Sequence, residues 1–144
     1  MSSSGRSQRM GMHAEAGLHA LRLVVSGTFD RHPGLKLIIG HCGEMIPFML
    51  DRIDDMMPHS VSGLASPVSE YVLRHMWVTT GGIFSLPPTI CALSVPGVDR
   101  VLFSADYPFS PNASGREFLD ALPIASGDKV KVAGANAQRL LKLA

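Results

Sequence analysis

From Ala14 onward, apolar side chains at 14, 18, 21, 25 and 29 recur at spacings of three and four, which predicts one helix over about 14–30. Pro33, in "RHPG", forbids its continuation. "LKLIIG" then reads as a strand that is apolar on both faces, the pattern of a parallel strand covered on both sides by helices. The next period is helical again, over about 46–57, with Ile46, Met49, Leu50, Ile53, Met56 and Met57 as the buried stripe and Asp51, Arg52, Asp54 and Asp55 facing water. Pro47 suits its first turn, where a missing N–H costs nothing. "PHSVSGLASP" reads as a loop and "VSEYVLRH" as a short helix. "MWVTT" is a second strand, "LPPTICALSV" a helix, and "VLFSAD" a third short strand after the turn "GVDR". Helical segments follow near 114–122 and 128–142. Strands alternating with helices predict an α/β fold with a parallel sheet.

Composition narrows the class. The 144 residues carry a net charge of +1 and are 46% hydrophobic, which is enough apolar material for one globular core. The near-neutral balance offers no basic footprint for nucleic acid. No apolar run approaches the roughly 18 residues needed to cross a bilayer. The start, "MSSSGRSQRMGMH", is polar and lacks the apolar core of a secretory signal. Residues 1–13 are therefore expected to be a flexible segment outside the folded domain, 14–144. Cys42 and Cys91 match no metal or disulfide spacing and are expected to be free thiols in a reducing cytoplasm.

Candidate chemistry gathers where the three strands end, the place a parallel α/β architecture presents its ligand site. The first strand ends in Gly40-His41-Cys42-Gly43-Glu44, the second in Thr79-Thr80-Gly81-Gly82, the third in Ser104-Ala105-Asp106-Tyr107-Pro108. His41 can move a proton near neutral pH. Glu44, three residues on, can fix the tautomer of that ring and raise its basicity. Asp106 offers hard oxygen donors to Zn²⁺ or Mn²⁺. The two glycines allow backbone to approach a flat substrate. Each residue also has a purely structural reading. His41 can be a satisfied structural histidine, Glu44 an acid at a helix N-terminus, Asp106 a turn residue before Pro108, and the glycines a tight turn. The remaining histidines suit structural or exposed roles, and His13 falls in the segment excluded from the fold. Met12, Met45, Met49, Met56 and Met57 read as core filling.

Three linked motifs add a resemblance. "GLHALRLVVSGTFDRHPGLKLIIGHCGEMIPFMLDRID", "WVTTGGIF" and "RVLFSADYPF" resemble the amidohydrolase-related family of metal-dependent TIM barrels, and "AGANAQRLLKL" is similar to its C-terminal helix. The decarboxylase branch of that family includes γ-resorcylate decarboxylase and aminocarboxymuconate semialdehyde decarboxylase. The resemblance covers about residues 14–143. It implies that these strands are numbers six to eight of a (β/α)₈ barrel. It places Asp106 at a metal-ligand aspartate, His41 at the active-site histidine, and Glu44 at the carboxylate that accompanies this histidine in resorcylate-type enzymes. It further implies a divalent metal, Zn or Mn, once a complete site is assembled, and a small carboxylic acid as substrate. The family's other metal ligands lie on barrel strands one and five, outside this stretch. A slice of three strands leaves two open sheet edges, so self-association or a partner supplying the rest of the barrel is expected. Three functions follow: a metal-dependent decarboxylase of an aromatic acid, a hydrolase of the same family, or a non-catalytic barrel remnant.

Overall fold

The computed structural model describes residues 3–143. Helix α1 (Ser3–Val25) leads through a left-handed Gly27 into the single turn α2 (Thr28–Arg31) and strand β1 (Leu37–Ile39). Helix α3 (Ile46–Met56), the turn α4 (His59–Ser62) and helix α5 (Val68–His75) precede strand β2 (Met76–Thr79). Helix α6 (Leu86–Ser94) returns the chain to strand β3 (Val101–Leu102), and α7 (Asn112–Ala121) follows. The end is one continuous rod: α8 (Ser126–Val130), a π-helical turn (Lys131–Ala135) and α9 (Asn136–Leu141). The sheet is parallel throughout in the order β1-β2-β3, with Leu37 opposite Met76, Ile39 opposite Val78, and Thr79 opposite Leu102.

The first helix differs from its pattern. Within the segment 1–13 it runs from Ser3, and Met1 and Ser2 lie outside the described residues. The buried stripe is rotated by about one residue. Gly17, Ala20 and Val24 face the core, while Leu18 and Val25 are exposed. The reason is steric. At Gly17 a Cβ would stand 2.6 Å from the Glu44 carbonyl oxygen, so only a hydrogen at this position lets α1 settle on the chain below. Val24, fully buried, contributes about 1.5–3 kcal/mol there.

The α3 stripe is likewise narrower than its pattern. Ile46 and Leu50 are buried, Ile53 and Met57 are partly so, and Met49 and Met56 are exposed. Met12 and Met45 are exposed as well, so of the five methionines expected to fill the core Met57 alone packs against it. Strand β1 is covered on one face only: Ile39 is buried and Ile38 is 42% exposed. An apolar run shows that both faces of a strand can be covered, not that both are. Ile38 pairs with Trp77. The Trp77 ring lies 4.0 Å from the Arg100 guanidinium carbon and 5.3 Å from Lys36 Nζ, a cationic cover for an aromatic face.

The packed interior forms two clusters. One gathers α1, α2, β1, α3 and α5 around Val24, Phe29, Ile46, Leu50 and Met76. The other gathers Val78, Ala92, Val101, Leu119 and Val132. Asn136 ties the final rod to the sheet. Its buried side-chain amide donates to the Val98 and Val101 carbonyls at 2.8 and 2.9 Å. His75 Nδ1 donates to the Leu35 carbonyl, 3.0 Å away, and the ring stacks on Phe29, a structural role that suits the wrong end of a strand for chemistry.

Candidate active site at the strand ends

After β1 the chain enters a left-handed turn. Five consecutive residues, His41 through Met45, have positive φ, and Gly43 is the sole glycine among them. Each non-glycine residue held this way costs about 1–2 kcal/mol. Asp106 at the end of the third strand is also left-handed, with φ of 60°. Such strain persists where the surrounding structure over-determines it, and it concentrates at sites. Here it puts residues three apart on one side of the turn. The His41 Nδ1 hydrogen-bonds Glu44 Oε1, and the Glu44 amide donates to the His41 carbonyl at 3.3 Å.

The glycines after β2 bring the strand ends together. A Cβ on Gly81 would lie 2.5 Å from the His41 amide nitrogen. A Cβ on Gly82 would lie 2.9 Å from the Asp106 Cβ and 2.5 Å from the Ser110 hydroxyl oxygen. The room expected for a flat substrate is taken up by the site residues themselves. Thr80, buried beside these glycines, donates its hydroxyl to the Ser104 carbonyl at 2.7 Å and accepts the Ser104 amide at 2.9 Å. That pair of bonds carries the alignment of β2 and β3 past the last regular ladder rung.

Three of the expected residues therefore converge. His41 presents Nδ1 to Glu44 and Nε2 towards Asp106, whose Oδ2 is 3.8 Å away. That gap exceeds a hydrogen bond. The Glu44 side chain is 5% exposed and Asp106 is 31% exposed. The Asp106 carbonyl oxygen accepts the Phe109 and Ser110 amides, so its main chain serves the turn while its carboxylate faces the site. A cavity of about 680 Å³ opens beside the cluster, walled by His41, Glu44, Met45, Phe48, Ile83 and Ile90 among others. Cys42 lies on the same wall, and burial pushes its thiol above the ordinary range.

One site residue escaped sequence reasoning. His13 Nδ1 is 2.9 Å from Glu44 Oε2, and its ring meets that of His41 edge to face at 4.5 Å between centroids. The available signal was the i, i+4 pair His13 and Gly17, which share a helix face. It was hidden because the segment before Ala14 reads as polar.

The family model described as "Amidohydrolase" matches residues 4–143. The chain belongs to the amidohydrolase family. A gamma-resorcylate decarboxylase of Rhodococcus jostii is 41% identical over 133 residues, covering 90% of this chain and 40% of that protein. A solved 2,6-dihydroxybenzoate decarboxylase in complex with 2,6-dihydroxybenzoate superposes with a TM-score of 0.82 at 38% identity, over 91% of this chain and 42% of the other. A 5-carboxyvanillate decarboxylase from Novosphingobium aromaticivorans, solved with manganese and 4-hydroxy-3-methoxy-5-nitrobenzoic acid, gives a TM-score of 0.87 at 32% identity, over 92% and 40%. The chain thus spans about 40% of the length of these relatives. Its three parallel strands and flanking helices align with part of such decarboxylases. Among the described residues, no helix is long and apolar enough to cross a membrane.

Proposed function

We propose that this chain forms the part of a metal-dependent carboxy-lyase built on barrel strands six to eight, acting on a small aromatic acid with a hydroxyl beside its carboxylate. The observation that carries the reading is the His41 ring, held by Glu44 at one nitrogen and turned towards Asp106 with the other. Glu44 fixes the ring orientation and favours the proton on Nδ1. Nε2 is then the atom that takes up a proton from solvent and, as part of the imidazolium, delivers it to the ring carbon bearing the carboxylate. The bond from that carbon to the carboxylate then breaks, its electron pair restores the aromatic ring, and CO₂ leaves. The apolar wall of the cavity, with Phe48, Ile83 and Ile90, suits the face of an aromatic ring and limits water.

Asp106 is the donor this chain offers to a divalent metal. Its carboxylate has the hard oxygens that Mn²⁺ or Zn²⁺ takes, is partly exposed, and among the described residues accepts no hydrogen bond. A catalytic site normally takes about three protein ligands, and Asp106 belongs to no three-donor group among the described residues. The other donors would come from outside them. A bound divalent ion would supply positive charge to the substrate carboxylate and its neighbouring hydroxyl.

The test is direct. The purified chain is supplied with Mn²⁺ and 2,6-dihydroxybenzoate, and CO₂ release is followed. Turnover that disappears in His41→Asn supports the decarboxylase. A folded chain that has bound Mn²⁺ and still shows no turnover favours the non-catalytic reading, and release of a hydrolysis product from an ester or amide analogue favours the hydrolase.

A further inference from the structure

We propose that His13, His41 and Glu44 form a binding site for a borderline divalent cation, zinc above all, separate from the ion assigned to Asp106. Each of the three side chains offers one ligand atom, and these atoms lie within 4.8 Å of one another. The pair His13 Nδ1 and Glu44 Oε2, hydrogen-bonded at 2.9 Å, needs to open only by roughly half an ångström to reach the spacing of two atoms on one tetrahedral zinc at about 2.0–2.2 Å. The two imidazole rings stand at 88° to each other, so they approach a common point without their edges colliding. Gly17 fixes the approach, because α1 reaches Glu44 only where it has no side chain in the way.

The set is two histidines and a carboxylate, which zinc takes in open catalytic-type sites with one position left for water. The open position here faces the cavity that His13, His41 and Glu44 all line. On binding, each ring turns an Nδ1 lone pair to the ion and carries its proton on Nε2. His41 Nε2–H then points at Asp106 Oδ2, 3.8 Å away before any adjustment. Two imidazoles also favour zinc over manganese in the general affinity order. An ion held here occupies the ring and the carboxylate that the decarboxylase reading leaves to proton transfer. Zinc at this site is therefore an inhibitor of that activity.

Equilibrium dialysis of the purified chain against Zn²⁺, with elemental analysis and with Co²⁺ absorption as a coordination readout, tests the proposal without any substrate. The expected result is about one equivalent of Zn²⁺, bound at least about tenfold more tightly than Mn²⁺. His13→Ala, at a half-exposed helix position, is expected to weaken Zn²⁺ at least about tenfold while circular dichroism shows the fold intact. Asp106→Asn is expected to keep the equivalent and to change the Co²⁺ spectrum only slightly. Zinc retained by His13→Ala, zinc lost from Asp106→Asn, or no zinc on the folded chain would each overturn it. None of these results depends on whether 2,6-dihydroxybenzoate is turned over.

Discussion

Two carboxylates in this site share a neighbour and little else. Glu44 is buried, and each of its oxygens meets an imidazole nitrogen, from His41 and from His13. Asp106 is about a third exposed, and its nearest imidazole nitrogen is 3.8 Å away. A buried carboxylate is stable only when its lone pairs are met, and Glu44 meets that condition. An exposed carboxylate needs no partner and keeps its lone pairs for a ligand. On the proposed reading, the same side-chain chemistry is divided between holding a ring in place and receiving a ligand from outside. Backbone strain is common to both, since His41, Glu44 and Asp106 all adopt left-handed conformations.

This contrast is sharpest at the ring between the two carboxylates. His41→Asn should lower decarboxylation by about 10²–10⁴-fold, the usual yield of a positioned acid–base group, measured as kcat on 2,6-dihydroxybenzoate. A loss below tenfold would move the proton transfer to another residue. Glu44→Gln should cost less, about 10–100-fold, because the ring survives and only its orientation is lost. The pH profile of kcat should shift with it, which a purely structural role for Glu44 would leave in place. Gly81→Ala sets a smaller effect. The new Cβ meets the His41 amide and the residue must hold φ of 50°, so urea unfolding should show a loss of about 1–2 kcal/mol. An unchanged midpoint would mean the strand ends are not packed this closely.

A third carboxylate serves as the control. Asp30 accepts the Tyr71 hydroxyl at 2.6 Å, joining α2 to α5. That bond pushes the Tyr71 phenol above its usual value, with burial adding to it. A group whose native value is raised stabilises the fold fully below its unfolded value, about 10 for tyrosine, and loses that contribution as the pH climbs through the native value. Unfolding midpoints should fall in that alkaline window, and the fall should shrink in Tyr71→Phe. Near neutral pH the same substitution should cost about 1 kcal/mol.

Much of the framework was legible in the sequence because period and turn chemistry are local. The α3, α5, β2 and α6 segments lie where their patterns place them, and the three strand ends do share one edge of the sheet. What failed was non-local. The rotation of α1 follows from its contact at Gly17 with Glu44, which no spacing within α1 reveals. The exposure of Ile38 depends on what covers a sheet face far along the chain. His41, Glu44 and Asp106 were visible as chemistry-bearing residues at strand ends, and their motifs were specific. His13 was not, because its meaning comes from a left-handed turn about thirty residues later, and only Gly43 hints at that turn. The asparagine of "GANAQRLL" reads as motif alone until its amide is seen on two carbonyls beside β3.

The most direct test of the account is the protonation pattern of the His41 ring in the metal-free chain. Long-range ¹H–¹⁵N NMR, assigned with His41→Asn and recorded where the ring is neutral, reads both nitrogens at once. The account predicts the proton on Nδ1, bonded to Glu44, and a lone pair on Nε2 facing Asp106. The proton on Nε2 instead, or a pattern that Glu44→Gln leaves unchanged, would contradict the claim that Glu44 sets this ring for its chemistry.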